Sequence, residues 1–284
     1  MGEESLQSWV GREEVADDIA AAAPLAGLAA TLDRAEDAPA AGDMVPPGGH
    51  WLYFLPRAPQ SGLGPDGHAL RGGFLPPVPL PRRMWAGGRL EFPGALRVGE
   101  AIRRRSVIKD VTEKTGKSGA LVFVVLRHEI SGPGGLAVIE EQDLVYREAP
   151  DPKAPPPPPR PAPDDGTWSK TIQPDPVMLF RYSALTFNGH RIHYDRPYAM
   201  EAEGYPGLVV HGPLIATLLM ELCQDKKPDA RLTGFDFRML GPLFDTQPFT
   251  VQGRPTDGGA DLWAANADGA LAAQATATFD PVVC

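Results

Sequence analysis

A run of five consecutive prolines, Pro155–Pro159, lies near the middle of the chain and most constrains its fold. Proline fixes its own φ and lacks a backbone N–H, so such a run adopts an extended, semi-rigid conformation. We therefore predict a linker at residues 151–166, between an N-terminal unit at 1–150 and a C-terminal unit at 167–284. With 284 residues, the chain is long enough for each unit to bury its own apolar core.

Composition and charge exclude several classes of protein. A formal net charge of −9 argues against a general nucleic-acid binder, although a local basic pocket for a small phosphorylated ligand is compatible with it. Cys223 and Cys284 cannot form a disulfide framework, which favours a reducing compartment. The acidic N-terminus does not resemble a signal peptide, and no apolar run is long enough to span a membrane. These features predict a soluble, cytoplasmic protein without a nucleic-acid or membrane partner.

The C-terminal unit combines one apolar helix with several strands. Residues 213–223 have leucine and isoleucine at helical spacing, which predicts a helix with one apolar face. Four strands are expected after it, separated by turns rich in Gly, Pro and Asp, at about 231–240, 247–254, 260–267 and 270–279. One helix followed by antiparallel strands predicts an α+β unit in which the sheet wraps the helix.

The N-terminal unit follows a similar plan with a less distinct helix. Apolar residues at roughly helical spacing predict helix over residues 3–32, interrupted at Pro24. Residues 39–88 are rich in Pro, Gly and aromatic side chains, and a loop of this length is expected to cover a groove. Residues 89–148 predict three long strands joined by tight turns, and therefore an antiparallel sheet.

Residues 180–195 carry the densest group of chemically active side chains. This stretch contains Asn188, His190 and His193 beside aromatic residues. Imidazole has a pKa near neutrality, so the stretch is suited to acid–base chemistry. Downstream, Gly212 precedes a proline and opens the apolar helix, where unpaired N–H groups favour negative charge. Together the two stretches predict proton transfer beside a site for a carbonyl oxygen.

Metal and nucleotide sites are the main alternatives for these residues. His190 and His193 are three residues apart and His211 follows, but there is no HExxH motif and no cysteine pair at zinc spacing. We therefore predict no metal. No glycine-rich dinucleotide or Walker loop is present either. Asp195 is expected to hold a neighbouring arginine, Arg191 or Arg196, and not to act as an acid.

Residues 180–219 resemble the MaoC-like hydratase/dehydratase family, which has the hot-dog fold. The usual signature of that family is Asp-x-Asn-Pro-Leu-His, followed later by His-Gly at the start of the central helix. His193 falls on the signature His, Asn188 on the Asp and His190 on the Asn. The later pair falls on His211 and Gly212. The carboxylate of the usual dyad is therefore replaced by an amide.

The variant Thr-Phe-Asn-Gly-His-Arg-Ile-His-Tyr-Asp resembles one branch of that family. This branch includes mitochondrial-type 3-hydroxyacyl-thioester dehydratases and mesaconyl-C4-CoA (3-methylfumaryl-CoA) hydratases. The likeness extends into the N-terminal unit at residues 49–54, 76–88, 126–130 and 140–147. It implies an α+β double hot-dog in which the N-terminal unit is non-catalytic, covers the site and binds coenzyme A. The C-terminal unit would carry the catalytic residues.

The resemblance implies reversible addition of water to a short branched enoyl-CoA. No cofactor is expected, because coenzyme A is part of the substrate. His193 would be the general base, Asn188 would position the water and the Gly212 N–H would bind the thioester oxygen. An amide has no accessible pKa, so His193 would serve for both protons or relay one through the water. Asn188 capping a turn is the structural alternative.

The remaining site residues are expected to bind substrate. The acyl pocket would be lined by Tyr182 and Phe187, with His190 and His211 beside it. A distal carboxylate would need a cation, which Arg181, Arg191 or the Arg82–Arg83 pair could supply. Itaconyl-CoA hydration and 3-hydroxyacyl-thioester dehydration are the nearest rival activities. A non-catalytic acyl-CoA-binding protein is the rival from another class, and pairing of two chains as a homodimer stays open.

Overall fold

The computed structural model describes residues 5–35, 37–116, 119–149 and 158–280. Most of the proline run lies outside these ranges. Immediately after it, the Arg160 carbonyl accepts from the Leu271 N–H at 2.8 Å, and the Ala162 N–H donates to Gly269 at 2.9 Å. The chain that leaves the linker is therefore paired with the C-terminal unit. No helix in the described ranges is long and apolar enough to cross a membrane.

Ten strands and three α-helices make up the regular structure of the described residues. Those before the linker are β1 (Glu13–Ile19), α1 (Ala22–Thr31), β2 (Arg82–Glu91), β3 (Ala101–Gly116), β4 (Gly119–Gly132) and β5 (Gly135–Arg147). Those after it are β6 (Trp168–Ile172), α2 (Pro176–Leu185), α3 (Gly212–Lys226), β7 (Leu232–Met239), β8 (Phe249–Thr256), β9 (Gly259–Asn266) and β10 (Leu271–Phe279).

All ten strands belong to one antiparallel sheet, ordered β1-β3-β4-β5-β2-β7-β10-β9-β8-β6. Strands before the linker occupy one side of this order and strands after it occupy the other. β2 and β7 join them, in register from Gly87 opposite Arg238 to Glu91 opposite Gly234. The expected α+β double hot-dog is confirmed, since the sheet and its helices match that architecture.

Helix α3 is buried along most of its length. Every residue from Leu214 to Cys223 is buried, and strands β6 to β10 all pack against the helix. A helix that is apolar on all sides is stable only when it is surrounded by protein. The predicted wrapped helix is therefore correct, and burial fixes the position of its first residue, Gly212.

The predicted helix over residues 3–32 is wrong in its first part. Residues 13–19 form β1 instead, because they pair with β3 and make cross-strand ion pairs such as Asp17 with Arg103 at 2.7 Å. The apolar spacing that suggested a helix is overridden by this long-range pairing. Pro24 does not interrupt α1, since it lies in the first turn, where a missing N–H leaves no hydrogen bond unmade.

The segment at 39–88 packs into the core, as a long apolar covering loop should. Its short turn Gly49–Leu52 carries Trp51, whose Nε1 donates to the buried carboxylate of Glu140 at 2.8 Å. The Trp51 ring packs edge-on against Trp85 and Phe237, with centroid distances of 5.5 and 6.3 Å. Phe237 lies on β7, so this loop contacts both units and is fixed over their junction.

Candidate active site

The turn after α2 positions the catalytic candidates. Asp175 caps α2 by accepting from the Met178 N–H at 2.7 Å. At the other end Phe187 has φ of +48°, an uncommon conformation for a bulky residue, and reverses the chain. Asn188 Oδ1 then accepts from the His190 N–H at 3.0 Å. Asn188 therefore closes a turn that leads directly to His190 and His193.

His193 is a buried imidazole with one nitrogen engaged. Its Nδ1 lies 2.7 Å from the Val209 carbonyl oxygen, so Nδ1 carries the proton and Nε2 keeps its lone pair. The side chain belongs to the short turn Arg191–His193 and only 8% of the residue is exposed. Burial lowers the pKa of His193 to about 4, against the opposing effect of the Val209 carbonyl. The ring is therefore neutral at pH 7 and able to act as a base.

His211 supports the His193 ring from one face. The two imidazoles are stacked, with centroids 3.7 Å apart and planes 18° from parallel. His211 is fully buried, and its Nε2 lies 2.8 Å from Ser183 Oγ. Its Nδ1 has no hydrogen-bond partner among the described residues. Burial holds the pKa of His211 well below its usual value, so this ring is a neutral neighbour of the base.

Gly212 places the start of α3 beside this pair. It is the first helical residue, Pro213 follows it, and no acceptor in the described chain takes its N–H. The three atoms nearest to a Cβ at Gly212 would all belong to Met239, at 3.5 Å or more, so packing alone does not require glycine here. The helix dipole and the unpaired N–H favour a developing negative charge. His211, on which the His193 ring stacks, is the residue immediately before Gly212.

A second imidazole pair reaches the site from the N-terminal unit. The His68 ring lies 4.1 Å from that of His190, which lies 5.4 Å from that of His193. His68 Nδ1 is 2.8 Å from a carboxylate oxygen of Asp66. Sequence reasoning missed both residues. The available signal was a histidine two residues after an aspartate within a long covering loop, and such a pattern does not identify its contacts.

Asp66, His68 and His190 are also close enough to share a cation. Their ligand atoms all lie within 4.8 Å of one another. The hydrogen bond between Asp66 and His68 accounts for the closeness of those two side chains by itself. The expectation that the site contains no metal stays a prediction.

Backbone contacts hold the two loops together. The Arg191 N–H donates to the Asp66 carbonyl at 2.9 Å, and Arg191 Nη1 donates to the Pro65 carbonyl at 3.0 Å. Gly67 has φ of +88°, and a Cβ there would lie 1.8 Å from the Gly189 carbonyl oxygen. Only glycine at position 67 allows this approach. The covering loop is thereby fixed against the catalytic turn.

The predicted substrate-binding residues divide into several groups. Tyr182 is fully buried, with its ring centroid 4.9 Å from that of His211, so it lies directly behind the histidines. Phe187 is 60% exposed and has no ring contact among the described residues. Arg191 is bound to Asp195 at 2.7 Å and lies over the Tyr198 ring. The expected contact of Asp195 with a neighbouring arginine is confirmed, and the Arg191 guanidinium is engaged in this ion pair.

The two adjacent arginines of β2 have different surroundings. Arg82 forms an ion pair with Glu203. Arg83 is opposite Tyr146 in the β2–β5 register, and no carboxylate of the described residues pairs with it. Burial lowers the pKa of His68, the Asp66 carboxylate opposes that effect, and the charges of Arg83 and Arg71 lower the pKa further. Arg83 therefore acts electrostatically on the histidine cluster.

Solved structures share the fold. A MaoC-like dehydratase from Phytophthora capsici superposes with a TM-score of 0.67 at 13% identity, covering 95% of this chain and 96% of that chain. HtdX of Mycobacterium tuberculosis superposes with a TM-score of 0.64 at 19% identity, covering 94% and 99%. The chain therefore has the double hot-dog fold of these proteins.

Sequence comparison gives the family. Residues 48–245 match the family model described as hydroxyacyl-thioester dehydratase type 2. The chain is 52% identical over 279 residues to the mesaconyl-C(4)-CoA hydratase of Chloroflexus aurantiacus, covering 97% of this chain and 98% of that protein. It is 31% identical over 230 residues to the mitochondrial hydroxyacyl-thioester dehydratase type 2 of Schizosaccharomyces pombe, covering 72% and 76%. The chain belongs to the hydroxyacyl-thioester dehydratase type 2 family.

Replacing Gly67 by alanine should separate the two loops. The Cβ would clash with the Gly189 carbonyl, so we expect activity to fall by at least about tenfold, as small displacements of catalytic groups do. Gly11→Ala is the matched control, because Gly11 also has positive φ (+85°) but would place its Cβ in open space. Thermal unfolding and hydration rate would be measured for both variants. Equal activities in the two would contradict the proposed loop contact.

Proposed function

We propose that the protein catalyses reversible, cofactor-free hydration of a short branched enoyl-CoA, with mesaconyl-C4-CoA as the preferred substrate. The observation that carries this proposal is the buried His193 ring, whose Nδ1 lies against the Val209 carbonyl and whose Nε2 has no hydrogen-bond partner among the described residues. This ring stacks on His211, the residue before α3. The choice of the mesaconyl group is supported by 52% identity, over nearly the whole chain, to the mesaconyl-C(4)-CoA hydratase of Chloroflexus aurantiacus.

The geometry supports attack of water on Cβ of the substrate. His193 Nε2 would take a proton from the water while its oxygen bonds to Cβ. The displaced electron pair moves to the thioester oxygen, where the Gly212 N–H and the dipole of α3 stabilise it. Asn188 Oδ1 accepts the His190 N–H with one lone pair, and its second lone pair is available to accept a hydrogen bond from the water.

Protons and water are the only co-reactants that this chemistry needs, and coenzyme A enters as part of the substrate. The covering loop and β2 of the N-terminal unit lie against the site, so this unit would shield the reaction and bind the coenzyme A portion. The buried free thiol of Cys223 fits a reducing, cytoplasmic compartment, which we propose for the enzyme.

Dehydration of a 3-hydroxyacyl thioester is the second candidate function. The family model and the yeast relative favour it, and the same residues would run the reaction in reverse. Replacement of the usual carboxylate by Asn188 favours a third reading, in which acyl-CoA binds without turnover. Activity on a panel of thioesters separates all three.

The panel should show rapid hydration of mesaconyl-C4-CoA and slower hydration of other enoyl-CoA esters, read from loss of the conjugated thioester absorbance. His193→Gln should lower kcat by about 10²- to 10⁴-fold, because it removes the general base. His128→Gln is the matched control, since His128 is also buried but bonds to Ser106 away from the site. Retained turnover in His193→Gln would show that another group is the base.

We propose that Arg83 binds the free carboxylate of the substrate. In the mesaconyl group a carboxylate and a methyl group both lie on Cβ, so a cation is needed close to the attacked carbon. Of the arginines considered, Arg191 and Arg82 are already paired with carboxylates, and Arg181 is exposed on α2. Arg83 lies beside the histidine cluster on β2 without a carboxylate partner among the described residues.

Arg83→Gln should therefore raise KM for mesaconyl-C4-CoA by about 10- to 100-fold, the worth of a hydrogen bond to a charged group. Crotonyl-CoA lacks the carboxylate, so its kcat/KM should change little. Arg89→Gln is the matched control on the same strand, because Arg89 pairs with Asp143 and Glu141 on β5. An equal loss with both substrates would remove Arg83 from carboxylate recognition.

A further inference from the structure

Hydration requires a second proton transfer, which His193 would otherwise have to carry out alone or through the water. His193 accepts a proton from water, and Cα must then receive one. The amide of Asn188 cannot exchange a proton in this pH range. An acid of suitable pKa within reach of the substrate would resolve this gap.

Asp66 and His68 form a carboxylate–imidazole pair at the site. Asp66 Oδ2 lies 2.8 Å from His68 Nδ1, and Asp66 Oδ1 accepts the His68 backbone N–H at 3.0 Å. Both side chains are part-buried, with 34% and 24% of their surfaces exposed. The carboxylate fixes the ring orientation and the proton on Nδ1, so Nε2 is the nitrogen left to exchange a proton. A solvent-exposed Asp–His pair would have no second imidazole held against it, as His68 has in His190.

The pair cannot move independently of the catalytic turn. Arg191 donates to the backbone of both Asp66 and Pro65, and Gly67 packs against Gly189. His190 lies between the rings of His68 and His193. A continuous series of imidazoles therefore runs from the covering loop to the general base.

We propose that His68 is the proton donor to Cα and that Asp66 positions it, so that the N-terminal unit contributes to the chemistry. This inference rests on the proposed hydratase function. It changes the expected role of residues 1–150 from a cover to a part of the active site.

The proton balance closes with these groups. The water oxygen bonds to Cβ, its proton passes to His193 Nε2, and the π electrons move onto the thioester oxygen. His68, which starts the cycle protonated on both ring nitrogens, then gives its Nε2 proton to Cα as the carbonyl reforms. The extra proton on His193 returns to His68 through His190 or a water molecule. The product has gained one H and one OH, and the enzyme is restored.

The groups around His68 act on its protonation in opposite directions. Burial and the charges of Arg83 and Arg71 lower the pKa of His68, and the Asp66 carboxylate opposes them in part, so that the pKa lies below its ordinary value. The His190 ring lies against His68, tilted by 38° at a centroid distance of 4.1 Å. At His193 burial lowers the pKa to about 4, and the opposing effect comes only from a backbone carbonyl. The hydrogen-bonded carboxylate therefore stabilises the protonated, donating form of His68, and no carboxylate does so at His193.

The test compares the pH dependence of hydration in the full-length wild type, His68→Gln and Asp66→Asn. Asp261→Asn is the matched control, since it removes a carboxylate of β9 that is paired with Arg254 of β8. We expect His68→Gln to lower kcat by about 10²- to 10⁴-fold while KM stays within a few-fold. The decline in rate at high pH, where His68 loses its proton, should be absent in that variant.

Asp66→Asn should move that decline to lower pH, because loss of the carboxylate lowers the pKa of His68. A uniform loss of kcat with an unchanged pH profile in both variants would mean a structural role and would overturn the proposal. Near wild-type turnover in His68→Gln would also overturn this proposal, but it would leave the proposed hydratase function intact. Loss of wild-type activity on chelation, restored by Zn²⁺, would assign Asp66, His68 and His190 to a metal instead. If the wild type hydrates no thioester of the panel, the proposed function and this inference both fail.

Discussion

Complete burial of α3 beneath the sheet is the constraint on which the rest of the structure depends. Every residue of this helix from Leu214 to Cys223 is buried, and this enclosure fixes where its first turn begins. That turn starts at Gly212, immediately after the buried ring of His211. The proposed oxyanion site and the support for the proposed general base thus follow from the same packing. A partly exposed helix could fray at its start and would lose both together.

Burial also sets the protonation of the site. The stacked rings of His193 and His211 are removed from water, which favours their neutral forms and lowers both pKa values. A neutral base and an amide dipole both act most strongly where water is excluded. The N-terminal unit contributes to this exclusion through its covering loop, whose Trp51 spans the junction with β7. The C-terminal unit, which contains α3, therefore requires the N-terminal unit to exclude water from its site.

Local patterns predicted most of the fold, and long-range contacts account for the rest. The Pro213 helix start and the strand–turn alternation are encoded within a few residues, so the sequence identified them. β1 was assigned as helix because Val15 and Ile19 have helical spacing, while its pairing with β3 depends on residues far along the chain. At the site, His193 was found from its neighbours and its resemblance to a family signature. Asp66 and His68 were missed, because only the folded loop brings them to His190.

The central claim is that His193 is a neutral base with its lone pair on Nε2. Nitrogen-15 NMR of histidine-labelled protein over a range of pH, with His193→Gln to assign the signal, measures both properties directly. The account predicts a ring protonated at Nδ1 that titrates near pH 4, since burial lowers the pKa of His193 to about that value. A ring protonated at Nε2, or one that titrates at the ordinary pH of an exposed histidine, would contradict it.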